Sequence, residues 1–185
     1  LDENSKYTFA LLEALGVNKN VTFVLHDWGS AVGFHWANTY RDAVKGIAFM
    51  EAIVTPFPTW SNFPKELHGP IGTLRSSKGD KLVLDDNFFI ETLLPANISR
   101  SLSDIEHNEY RRPFLNSGEE RRAILAGPRQ LPIDGKPADT FALVGNYADY
   151  LANSTTLPKL FINADPGAFL VGYARDFVRT WPNLT

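Results

Sequence analysis

Val21-Thr-Phe-Val-Leu-His-Asp27-Trp-Gly-Ser-Ala-Val-Gly-Phe-His-Trp-Ala37 is the stretch whose reading decides the fold. Its opening residues are apolar or β-branched and too few for a stable helix, which predicts a buried strand. After Asp27-Trp28-Gly29 the spacing becomes helical, and Gly29, Ala31 and Gly33 supply small residues for close packing on that strand. An abrupt strand-to-helix turn exposes one side chain, here Asp27. The next backbone N–H and the helix N-terminus favour negative charge there. Two readings of Asp27 follow: a nucleophile on a sharp elbow, or an ordinary N-cap of the helix. Gly29 satisfies the small-residue requirement two positions after the elbow, while Leu25 departs from it two positions before.

Composition sets the outer bounds. The 185 residues are 44% hydrophobic and 12% aromatic, enough for one real core. A net charge of -3 leaves no basic footprint for nucleic acid, and no apolar run reaches the length of a membrane span. There is no cysteine, and the four histidines lack ligand spacing, so neither a metal nor a cofactor is expected. The expected compartment is the cytoplasm.

Outward from the opening stretch, Tyr7, Ala10, Leu11, Ala14 and Leu15 recur at helical spacing, with Gly16 as a stop. Lys45–Ile53 reads as a second buried strand, with Glu51 near its end, and Lys159–Ala164 as a third, followed by the turn Asp165-Pro166-Gly167. The order helix, strand, helix, strand argues for a parallel sheet with crossovers. Between the second and third strands the composition shifts. Pro56, Pro58, Trp60, Phe63 and Pro64 lead into segments of helical pattern around 67–76, 87–94, 103–115 and 138–151. Ser103-Asp-Ile-Glu106 has the spacing of a capping box. The expected organisation is α/β core over 1–55, a helical cap over 56–157, and core again over 158–185.

Asp27, Glu51 and Asp165 thus fall at the C-terminal ends of three successive parallel strands, the edge where open α/β sheets bind ligands. His26-Asp27-Trp28-Gly29-Ser30-Ala31 and Gly46-Ile-Ala-Phe-Met-Glu51-Ala-Ile resemble haloalkane dehalogenases of the α/β-hydrolase superfamily. So do Leu84-Asp-Asp-Asn-Phe-Phe89, Pro128-Arg-Gln-Leu-Pro-Ile133 and Phe161-Ile-Asn-Ala-Asp-Pro-Gly-Ala168. The subgroup resembled also contains sea-pansy-type luciferases, and the likeness covers essentially the whole chain.

The resemblance implies an α/β-hydrolase fold, three central parallel strands of it, carrying a helical cap. It implies Asp27 as nucleophile and Trp28 as halide donor through its indole N–H. Glu51 is implied as the acid that orients a catalytic histidine, with Asp165 as the alternative acid used by other subgroups. Phe63, Phe89, Pro128 and Phe169 are implied as the wall of an apolar pocket. The implied reaction converts a haloalkane to alcohol, halide and a proton through an aspartyl ester, with water and the halide as the only small partners.

The chain departs from that family pattern in ways that carry expectations. None of His26, His35, His68 or His107 matches the catalytic histidine, and the family's His-Gly-Asn-Pro loop has no counterpart here. Gly127 stands where a Trp commonly precedes Pro128. The chain is therefore expected to be an internal part of a longer enzyme, with further core on both sides. Alone it should be aggregation-prone, with apolar edges at Val21–Leu25 and Leu160–Ala164, and unable to turn over. The competing readings are a coelenterazine-type luciferase monooxygenase, an epoxide hydrolase, and a catalytically inactive hydrolase fold used for binding.

Overall fold

A computed structural model describes all 185 residues, which divide into two compact units: residues 1–65 with 130–185, and residues 66–129. In chain order the first segment holds α1 (Asp2–Ala14), β1 (Val21–His26), α2 (Asp27–Thr39) and β2 (Val44–Ala52). The second unit holds α3 (His68–Arg75), α4 (Lys78–Asp80), α5 (Leu94–Ala96), α6 (Asp104–Arg111) and most of α7 (Arg122–Gln130). The chain then returns through α8 (Ala138–Asn153), β3 (Lys159–Phe161) and α9 (Gly172–Arg179). No helix is long and apolar enough to cross a membrane.

The three strands form a wholly parallel sheet in the order β1-β2-β3. Parallel neighbours need crossovers, and α2 supplies the one between β1 and β2. Register pairs Val24 with Ala48 and Ala48 with Leu160. β1 is an edge strand on which Val24 is 72% exposed. The outer flank of β3 corrects the expectation of an open edge there. Thr185 N–H donates to the Lys159 carbonyl (2.9 Å) and Phe161 N–H to the Thr185 carbonyl (2.8 Å), so residues 183–185 begin a third parallel ladder. β3 itself is shorter than Lys159–Ala164, its last ladder bond running from Ile162 N–H to the Phe49 carbonyl.

α2 lies at the centre of the first unit because its buried face is both small and aromatic. A Cβ at Gly33 would run into the Leu25 side chain, so glycine lets α2 approach β1 with Leu25 in place. At the next residue, fully buried Phe34 meets Phe49 of β2 (5.7 Å between ring centroids), Tyr147 of α8 (5.5 Å) and Trp181 (6.3 Å). Aromatic pairs of this kind add about 0.5–1.5 kcal/mol each beyond the area they bury. The same contacts place α8 with the sheet unit, so the inserted helical unit is narrower than the 56–157 segment expected from composition. Thr140, Val144, Tyr147, Ala148 and Leu151 form the buried stripe that holds α8 there.

The second unit is built on Leu74, Val83, Leu84 and Leu125, with Phe89, Leu93 and Ile124 packed against them. Two π-helical turns, Lys81–Asp85 and Phe89–Leu93, flank Asn87 at φ +50°. A wide turn leaves carbonyls without helical partners. The buried Arg121 guanidinium meets this need: it donates to the carbonyls of Leu84, Asp85, Phe114 and Leu115 at 2.8–3.1 Å. The Ser103–Glu106 capping box is present in full, with Glu106 N–H donating to Ser103 Oγ (3.3 Å) and Ser103 N–H to Glu106 Oε2 (2.9 Å).

Arg100 pairs with Glu106 at 2.6 Å, and that pairing, reinforced by the Ser103 N–H, brings the Glu106 carboxyl down from 4.5 to about 2. A depressed carboxyl stabilises the fold above its unfolded pKa and loses that contribution as pH falls through the folded one. NMR titration should therefore place Glu106 near 2, with α6 loosening between about pH 4.5 and 2. An ordinary titration near 4.5 would contradict the capping geometry.

Candidate active site

The β1–α2 turn sets its first residue in an unusual backbone state. Asp27 has φ +46°, a region that non-glycine residues enter only at a cost, and its N-terminal neighbour His26 is extended (φ -145°, ψ 147°). An N-cap is normally extended itself, with its side-chain oxygen on the N–H of the second or third helical residue. α2 shows no side-chain cap bond, and Asp27 is exposed with its carboxylate engaged by no neighbour. The geometry is that of an elbow presenting a carboxylate over the helix N-terminus, where the aligned amides favour negative charge. Trp28 follows half-buried, its indole N–H bonded to no acceptor in the chain.

Glu51 stands at the same edge, on the neighbouring strand, and also at positive φ (+40°). Its Oε2 accepts two backbone hydrogen bonds, from Ala168 N–H (2.8 Å) and Phe169 N–H (2.6 Å). These amides come from the loop after β3, so the third strand's turn holds the second strand's carboxylate. A Cβ at Gly167 would come within 3.1 Å of Glu51 Oε1, so a side chain there would press on the acid. Both amides bond Oε2, and Oε1 accepts from neither. Asp165, the alternative acid, is exposed on the turn with no such anchoring.

Sequence reasoning passed over Ser30. It is fully buried; its hydroxyl donates to the Asp27 carbonyl (2.5 Å) and accepts from Ile53 N–H (2.8 Å). A serine three residues into a helix reads as filler, and nothing in the spacing marks it.

Aromatic side chains of the first unit gather beside Glu51. Phe57 meets Phe63 edge-on at 5.0 Å and Phe169 at 5.6 Å, and Phe63 meets Phe169 at 5.9 Å. Phe63 and Phe169 thus share one apolar cluster with the loop that anchors Glu51. Phe89 and Pro128 belong to the second unit, where Phe89 packs on the Leu84 core and Pro128 is buried within α7. Gly127, just before it, is half-buried. The histidines are occupied elsewhere: His35 lies on Phe9 (5.2 Å), His107 Nε2 meets the Ile90 carbonyl (2.8 Å), and His68 opens α3. None is bonded to Asp27 or Glu51. No group of three or more acidic or histidine side chains is arranged to hold a metal ion.

With this geometry in hand, the chain matches the alpha/beta hydrolase fold family over residues 5–183. It is similar to a haloalkane dehalogenase of Sphingobium indicum, 51% identical over 183 residues, covering 99% of this chain and 61% of that protein. It is also similar to the coelenterazine h 2-monooxygenase of Renilla reniformis, 39% identical over 183 residues, 96% of this chain and 58% of that protein. Among solved structures, haloalkane dehalogenase DbeA from Bradyrhizobium elkani superposes with a TM-score of 0.88 at 36% identity, over 99% of this chain and 63% of that one. The chain thus spans about three fifths of the length of the relatives it matches.

The elbow reading makes a stability forecast with a definite sign. Glycine occupies positive φ freely, so Asp27→Gly removes strain of about 1–3 kcal/mol and forfeits at most about 1 kcal/mol of charge–dipole attraction. Denaturant unfolding should show a net gain of about 1 kcal/mol. A loss would favour the capping role instead.

Proposed function

We propose that this chain, which belongs to the alpha/beta hydrolase fold family, carries the nucleophile and the orienting acid of a hydrolytic haloalkane dehalogenase. The observation that carries the reading is Asp27 at φ +46° on the β1–α2 turn, with Glu51 anchored at the end of the adjacent strand. A carboxylate oxygen of Asp27 attacks the carbon bearing the halogen from the side opposite it. The C–O bond forms as the C–halogen bond breaks, leaving an alkyl ester on Asp27 and a free halide. Trp28 donates its indole N–H to the departing halide, whose charge develops in apolar surroundings where one such donor counts heavily. Phe63 and Phe169 supply part of those surroundings, which suits a substrate nearly devoid of hydrogen-bonding groups.

Hydrolysis of the ester needs a base that deprotonates water, since water attacks the ester carbonyl readily only once activated. Glu51 Oε1 is positioned to orient such a base, and we assign it to none of the four histidines in this chain. Turnover is accordingly proposed for the complete protein, given that this chain spans 61% of its dehalogenase relative. Asp165 is assigned no catalytic part, because Glu51 alone has the loop amides.

The 185-residue chain exposed to a simple bromoalkane should release one bromide per molecule and then stop, while Asp27→Asn releases none. Bromide below one tenth of stoichiometric from folded chain would contradict the reading. Light emission from the complete protein with coelenterazine, without halide release, would move it to the activity named for the Renilla relative.

A further inference from the structure

We infer that Ser30 is a positioning residue for the Asp27 nucleophile, an assignment that rests on the dehalogenase reading and adds to it. The grounds are geometric. A side chain at φ +46° relaxes unless its surroundings over-determine it. The Asp27 side chain has no partner to hold it: the carboxylate is unengaged, and β1 is an edge strand on its outer side. Beyond the ladder, Asp27 makes one isolated bridge to Ala52. Ser30 supplies the missing restraint, donating to the Asp27 carbonyl at 2.5 Å and accepting from Ile53 N–H at 2.8 Å.

Ile53 is itself fixed. Its carbonyl accepts from the hydroxyl of fully buried Tyr147 at 2.5 Å, and its side chain is 1% exposed. One residue, Ile53, two beyond Glu51, is therefore bracketed by α2 through Ser30 at its N–H and by α8 through Tyr147 at its carbonyl. The two hydroxyls differ in one respect. Ser30 passes the restraint on to the nucleophile's own backbone, whereas Tyr147 ends at Ile53 and serves only the framework. Ser30 also sets the distance between the two strand ends on which Asp27 and Glu51 sit. A nucleophile that drifts by an ångström loses in-line alignment with its target carbon.

That difference gives the test. The rate of bromide release in the first turnover, and its dependence on bromoalkane concentration, are measured for the unaltered chain, Ser30→Ala and Tyr147→Phe, alongside thermal midpoints. Both variants remove one buried hydroxyl from the backbone of Ile53 and should lower the midpoint similarly. Ser30→Ala should slow the maximal first-turnover rate about tenfold or more with half-saturation unchanged, and Tyr147→Phe should stay within about twofold. Ser30→Cys, which restores a weak donor at nearly the same volume, should fall between Ser30→Ala and the unaltered chain. Equal slowing by Ser30→Ala and Tyr147→Phe would make Ser30 merely structural, as would no slowing by Ser30→Ala. Absence of bromide release from unaltered chain that still shows a cooperative thermal transition would overturn the dehalogenase reading and the Ser30 assignment together.

Discussion

A carboxylate must stand clear of its own backbone if it is to attack carbon, and everything at the sheet edge follows from that constraint. A sharp turn at positive φ achieves it, because the chain reverses before the side chain can fold back onto the helix N–H groups. The cost is local strain of about 1–3 kcal/mol. The packing around the turn offsets it: Gly33 admits α2 onto Leu25, Phe34 anchors the helix among Phe49, Tyr147 and Trp181, and Ser30 holds the Asp27 carbonyl. The strained residue sits on one of the more heavily braced helices of the unit.

The same logic governs the second carboxylate by other means. Glu51 also has positive φ, at the point where β2 leaves the sheet. Two backbone N–H groups from the loop after β3 hold one of its oxygens, which fixes the side chain's direction without involving another side chain. Amide donors cannot titrate or swing away, so the acid's orientation depends on loop shape alone. Loop shape in turn favours Gly167, where a side chain would press on Glu51 Oε1 and the Ala164 carbonyl. Sheet, loop and helix each contribute one element of the site, and the aromatic cluster of Phe57, Phe63 and Phe169 ties the anchoring loop to the residues after β2.

Much of this was legible in the sequence, for identifiable reasons. The strands at 21–26 and 44–52 announced themselves because buried parallel strands are short continuous apolar runs. Ser103 and Glu106 announced a helix start because capping is encoded within four residues. What escaped notice depends on contacts distant in sequence. The placement of α8 with the sheet rests on Tyr147 reaching Phe34 and Ile53, and no local pattern encodes that. α7 was missed because Gly127 and Pro128 break a helical reading, although its other residues continue the turn. Ser30, like Arg121, carries no periodic signal: each matters through backbone carbonyls that only the folded chain brings near. The outer flank of β3 was misjudged because residues 183–185, where a strand could begin, pair with it through a bridge at Leu184 that only the folded chain shows.

The central claim is that Asp27 is the atom-bonding nucleophile and not a capping residue. It is tested most directly by digesting bromoalkane-treated chain and locating the added alkyl mass by peptide fragmentation. The account predicts the alkyl group on Asp27, within the peptide that also carries Trp28 and Ser30. An alkyl group found on Glu51, Asp165 or His26, with Asp27 unmodified, would contradict it.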